Sequence, residues 1–143
     1  MILIRIHLRR DRARVGELLV LDRRVIYRTH CLGGNGAGSR KNPNDNPLFR
    51  YGPVPTGRYD VTAFARDGRD GDFLAMVGTA GQALAAIGYG RHELRIIGGP
   101  TESGALRPTF SGVRVTDQAL AEIIACFGDR AVSAGEVEIT ETN

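Results

Sequence analysis

Only a few side chains in this sequence can do covalent chemistry. Two cysteines, Cys31 and Cys126, and three histidines, His7, His30 and His92, supply every thiol and imidazole. A thiol or hydroxyl becomes a nucleophile when a base or cation sits beside it. His30 and Cys31 are adjacent, but neighbours along a strand point to opposite faces, so ring and thiol would not meet. Ser111 and Thr109 are the hydroxyls of interest, and His7, His30 and His92 are the candidate bases. Four arginines, Arg58, Arg95, Arg107 and Arg114, supply guanidinium forks suited to carboxylates. No cluster of His, Cys, Asp and Glu has zinc spacing, so no metal is expected. Gly33-Gly34-Asn35-Gly36-Ala37-Gly38 lacks the Gly-Lys-Ser/Thr of a phosphate loop and reads as a glycine loop; no cofactor is expected. Asp67-Gly68-Arg69-Asp70-Gly71-Asp72 lacks the oxygen spacing and closing glutamate of a calcium loop and reads as a surface turn.

These residues converge on one stretch, 91–115. A short apolar segment, Leu94-Arg95-Ile96-Ile97, ends in Gly98-Gly99; a Pro-bearing loop follows, then Thr109-Phe110-Ser111-Gly112-Val113-Arg114. Upstream, Tyr51-Gly52-Pro53-Val54-Pro55-Thr56-Gly57-Arg58-Tyr59 leads out of a Gly/Asn-rich loop into a strand. In order and spacing this resembles the L,D-transpeptidase (YkuD-type) cysteine enzymes of peptidoglycan over residues ~16–125. The family's first strand ends His-Gly and its second segment reads Ser/Thr-x-Gly-Cys-x-Arg. Ile97 stands at the histidine position and Gly112 at the cysteine position. Ser111 stands where the family has the glycine before its cysteine. Isoleucine exchanges no proton and glycine has no side chain, and losing either reactive group costs several powers of ten in rate. Arg114 matches the motif arginine, leaving two roles open: bracing loop carbonyls or binding the carboxylate of a stem-peptide ligand. The candidate ligand-binding residues are Arg58, Arg95, Gly98, Gly99, Arg107, Thr109, Ser111 and Arg114.

The bulk properties set limits on partners. A chain of 143 residues is the size of one domain. Its net charge of +3 comes from an almost all-arginine basic set interspersed with acids, without the clustered basic face that nucleic-acid binding requires. The start alternates apolar and polar residues, lacks the apolar core of a signal peptide, and no run reaches the ~20 residues of a membrane span. A cytoplasmic location, or export without a cleaved signal, is the expectation.

The elements that must position these groups are mostly strands. Residues 2–8, 16–21, 24–30, 73–77 and 136–140 alternate or are β-branched, with Asp22-Arg23 turning a hairpin. Nineteen glycines point to many tight turns. Residues 33–55 form a long loop of the kind that often carries function. An alanine-rich run, 79–87, predicts a short helix, and 117–127 a firmer one, capped by Thr116 with Leu120, Ile123, Ile124 and Phe127 on its apolar face. The expected fold is mostly β and sandwich-like, one domain over 1–143, with one well-defined helix near 117–127. The expected function is a catalytically inactive L,D-transpeptidase-like module for binding or structure in a cell-envelope or secretion assembly. Its partner would be a protein or a peptidoglycan-like peptide. The alternative is an active peptidoglycan enzyme with its nucleophile relocated to Ser111 or Cys31.

Overall fold

The computed structural model describes residues 1–12, 14–34, 46–65, 72–99 and 112–142. Eight strands form one sheet: β1 (Ile2–Arg9), β2 (Gly16–Asp22), β3 (Arg24–Cys31), β4 (Gly57–Ala65), β5 (Phe73–Ala80), β6 (Leu94–Ile97), β7 (Gly112–Arg114) and β8 (Gly135–Thr142). Their spatial order is β3-β2-β1-β8-β4-β5-β6-β7. All neighbours are antiparallel except β1–β8 and β6–β7, which are parallel. Mostly β is therefore what the sequence predicts and what the protein is. In place of the expected sandwich, however, there is a single sheet. β3 and β7 are its outermost strands, yet Leu32, just after β3, exchanges both backbone hydrogen bonds with Arg114 of β7, at 2.9 and 2.8 Å. The sheet rolls until its edges touch.

Period-two alternation drives that roll. Ile2, Ile4, Ile6 and Leu8 of β1, Leu18 and Val20 of β2, and Val137 and Ile139 of β8 all point inward and are buried in one core. A register slip of one residue would turn each of these rows to solvent. Helix α2 (Asp117–Ala125) seals the core with Ala119, Leu120, Ile123 and Ile124. It starts as predicted: Thr116 Oγ1 accepts from the Ala119 amide at 3.0 Å, and Asp117 sits at the positive end of the dipole. Phe127, just past the helix, meets Phe64 edge-on at 4.7 Å.

Helix α1 covers Gly81–Ile87, whereas Thr79 and Ala80, predicted helical, complete β5. The β4–β5 ladder is the reason: it runs on to Arg58 opposite Ala80, and so takes up the first two residues of the alanine-rich run. The predicted turn at 67–71, the glycine loop at 35–38 and the candidates Arg107, Thr109 and Ser111 lie outside the described residues.

The described part of the long loop has few ladder bonds, and its carbonyls are satisfied by two buried arginines. Arg91, 5% exposed, donates from Nη1 to Pro47 O (2.8 Å), Phe49 O (3.1 Å) and Pro53 O (2.9 Å) and from Nη2 to Gly52 O (3.1 Å). Arg12, 4% exposed, donates to Gly33 O (3.2 Å) and Val54 O (3.1 Å) and forms a 2.6 Å ion pair with Glu141. Arg91→Met should strand these carbonyls and destabilise the fold by about 3 kcal/mol, since each lost bond to a charged donor is worth roughly 1.5–3 kcal/mol with partial rescue by water. Urea denaturation measures this, and limited proteolysis should move to residues 46–55. Unchanged stability would mean that the loop holds its shape without the clamp.

Candidate functional site

The β6–β7 ladder brings the two motif segments together. Arg95 pairs with Gly112, Ile96 with Val113 and Ile97 with Arg114. Ile97 and Gly112 thus lie on neighbouring strands, two positions apart and on the same face, with Cα atoms roughly 8 Å apart from strand spacing and rise. Gly98 and Gly99 sit at the opposite end of this short ladder from Gly112. A side chain at Gly98 would meet Asp117, and one at Gly99 would land 2.3 Å from Arg114 Nη1. Gly99 therefore lets the guanidinium lie against bare backbone.

The position matching the family cysteine is built for glycine. Gly112 has φ +141°, and a Cβ there would fall 2.3 Å from the carbonyl oxygen and 3.0 Å from the amide nitrogen of Arg95. Neither contact is with a flexible side chain, so any larger residue must push the ladder apart. At the histidine position, Ile97 is half-buried opposite Phe73 on one side and Arg114 on the other.

Arg114 is tied by its backbone to Leu32, and its Nε is buried with no hydrogen-bond partner among the described residues. Arg95, on the same face, lies 4.0 Å over the Phe73 ring and forms a partly exposed pair with Glu93 at 3.2 Å. Arg58 is elsewhere: it is the second residue of β4, paired with Glu138 at 3.1 Å and opposite Ala80, far along β5 from the ladder with β6.

The other candidate nucleophile and bases are dispersed. Cys31 has no solvent exposure, and burial pushes its thiol up to about 12, so it is not a thiolate near neutral pH. His30, its exposed neighbour, points the other way. Cys126 is half-buried and burial raises its thiol too. His7 is engaged with Thr140 Oγ1 through Nδ1 at 2.6 Å. Among the described residues no group of three or more His, Cys, Asp or Glu could hold a metal.

His92 lines a cavity of about 460 Å³ at the head of β6, together with Arg50, Tyr51, Arg91, Glu93 and Arg95. Arg50, Tyr51 and Arg91 were not singled out as binding residues from sequence. Their signal was the Phe49-Arg50-Tyr51-Gly52 segment in an otherwise polar loop, meaningful only once Arg91 folds that loop onto β6. Comparison of the chain with known protein families, with curated proteins and with solved structures finds no match.

Two outcomes test this geometry. Gly112→Ala should destabilise the fold by about 2 kcal/mol or more through strain and displacement of β6, while Ile97→Val should cost under about 1.5 kcal/mol; chemical denaturation compares them. The second concerns pH. The folded Cys31 thiol holds its proton up to about 12, but in the unfolded chain it ionises near pH ~8.5. Above that pH the unfolded state sheds a proton that the native state keeps, so stability is full at neutral pH and falls as pH rises towards 12. Burial of the Tyr59 phenol, which donates to Pro55 O, acts in the same direction at higher pH. Urea midpoints should drop between about pH 8 and pH 10, and Cys31→Ala should flatten the drop; an equal slope in the variant would exclude Cys31 as its source.

Proposed function

We propose that the chain is a catalytically inactive L,D-transpeptidase-like domain, working as a binding or structural module in a cell-envelope or secretion-related assembly. The observation that carries this reading is Gly112. A reactive residue lost by a single recent substitution would leave room for its side chain, whereas here the backbone itself occupies that room. This supports the reading that no cysteine side chain fits at position 112.

What remains on that face is suited to binding. Arg95 and Arg114 stand on adjacent strands, two positions apart, with Ile97 beside Arg114 and Phe73 beneath Arg95 as apolar neighbours. Guanidinium groups beside apolar side chains fit a peptide that carries a carboxylate, as a peptidoglycan-like stem peptide or an acidic protein segment does. The rival, an acyl-transferring enzyme with a relocated nucleophile, loses support at Cys31, whose thiol is sealed in the core and protonated. Ser111, the other relocated nucleophile, lies outside the described residues.

Incubation with a tetrapeptide-bearing muropeptide, followed by intact-mass analysis of the protein and chromatography of the peptide, should show no acyl-enzyme and no cleaved product. Retention on the same muropeptide immobilised should fall at least about tenfold in Arg114→Met, a loss typical of one charge-assisted contact. Turnover abolished by Ser111→Ala would refute the inactive reading. Absence of both turnover and retention would remove the peptidoglycan ligand.

A further inference from the structure

We infer that the cavity where β1, β3 and β8 end and β2 begins is a binding site for a small zwitterion, an amino acid or short peptide carrying both an ammonium and a carboxylate. The inference stands on this cavity alone, away from the β6–β7 face, and does not depend on the function proposed above.

The cavity measures about 470 Å³, within the ~300–1,000 Å³ of small-molecule sites. Its wall includes His7 and Arg9 of β1, Val15 and Glu17 at the start of β2, His30 of β3 and Thr142 of β8. Register sets where the charges fall. Glu17 lies directly opposite His7 on one side and His30 on the other. His7 and Arg9 share the outer face of β1, so Arg9 stands diagonal to Glu17, a spacing of ~7–8 Å. Among the described residues, ion pairs take up Arg5, Arg12, Arg58, Arg95 and Arg130 and leave Arg9 and Glu17 unpaired.

Two opposite charges in one cavity, close but not joined, complement a ligand that carries the same two charges in reverse. Its ammonium meets the Glu17 carboxylate and its carboxylate meets the Arg9 fork. A ligand with one charge is attracted by one of these groups and repelled by the other, so the pair selects for both. Glu17 is half-buried, and its field is screened less than that of a fully exposed carboxylate. The neighbouring groups fit the same assignment. The 2.6 Å hydrogen bond between His7 Nδ1 and Thr140 Oγ1 fixes the His7 ring and leaves Nε2 for a ligand. His30 offers a second imidazole beside Glu17. Val15, 47% exposed, gives an aliphatic ligand side chain an apolar contact.

The test is a titration of isotope-labelled protein followed by backbone amide shifts. The probes are L-leucine, L-leucyl-glycine, L-leucinamide (ammonium only) and N-acetyl-L-leucine (carboxylate only). Saturable shifts at residues 7–9, 15–17 and 30 are expected from one or both zwitterions, with each singly charged probe at least about tenfold weaker. The zwitterion that saturates at lower concentration tells whether the site takes a free amino acid or a peptide. Glu17→Gln and Arg9→Gln should each weaken zwitterion binding at least about tenfold. Glu17→Gln should also erase the preference for leucine over N-acetyl-leucine, and Arg9→Gln the preference over leucinamide, which a general loss of structure would not do. Arg24→Gln, on β3 but outside the cavity wall, should leave binding within about twofold. The inference fails if neither zwitterion gives saturable shifts up to about 20 mM, if a singly charged probe binds as tightly, if the shifts map away from the cavity, or if Arg24→Gln weakens binding as much as Arg9→Gln.

Discussion

The fold depends on keeping buried backbone carbonyls satisfied where no sheet ladder reaches them. A buried carbonyl without a donor costs free energy comparable to a lost hydrogen bond. The stretch 46–55 lies under the β6 end of the sheet with several carbonyls turned inward, and Arg91 meets four of them from a single side chain. Arg12 does the same for Gly33 and Val54 while its charge is balanced by Glu141. Burial pushes the Arg91 guanidinium down from its usual range, yet arginine has so high a starting point that it stays charged, which a lysine in this position would not guarantee. With these two clamps in place, the loop becomes a wall of the cavity instead of an excursion into solvent.

The second constraint is closure. An eight-stranded sheet with open edges exposes unpaired amides and carbonyls. Here the two outermost strands meet at Leu32 and Arg114, and that contact fixes β7 against both β6 and the end of β3. The same short strand therefore has two neighbours and little freedom. Gly112, at its start, is where the chain must come closest to β6, and only a residue without Cβ passes. Closing the sheet at this point and placing any side chain at residue 112 are incompatible demands on one backbone position.

Much of this was legible from residue order. Alternation in 2–8 and 136–140 identified the two core strands, though not that they pair in parallel, because nothing local in either strand specifies its partner. Thr116 and the Leu120/Ile123/Ile124 face announced α2, whose regular turns end at Ala125, two residues before the predicted limit, with Gly128 taking the positive φ that stops the chain there. The site was legible in part. The β6–β7 ladder brings Ile97, Arg95 and Arg114 into one neighbourhood, whereas Arg58, taken from the separate 51–59 segment, lies on a distant part of the sheet. Arg91 and Arg12 read as ordinary polar residues, since a buried arginine differs from an exposed one only in the carbonyls that surround it, and those come from 21 to 44 residues away.

Arg95 touches both the ladder with Gly112 and the cavity at the head of β6. Its backbone carbonyl is the atom that excludes a side chain at Gly112, and its guanidinium lines the cavity on the other side of the strand end. A catalytic cysteine needs β7 drawn back from that carbonyl, whereas the present geometry needs β7 close so that Arg114 can reach Leu32. Moving β7 outward would disturb the strand that positions Arg95 over Phe73, and with it the orientation of the fork. Closure of the sheet, the bare backbone at Gly112 and the fixing of Arg95 over Phe73 are thus one structural arrangement, because all three depend on how close β7 lies to β6.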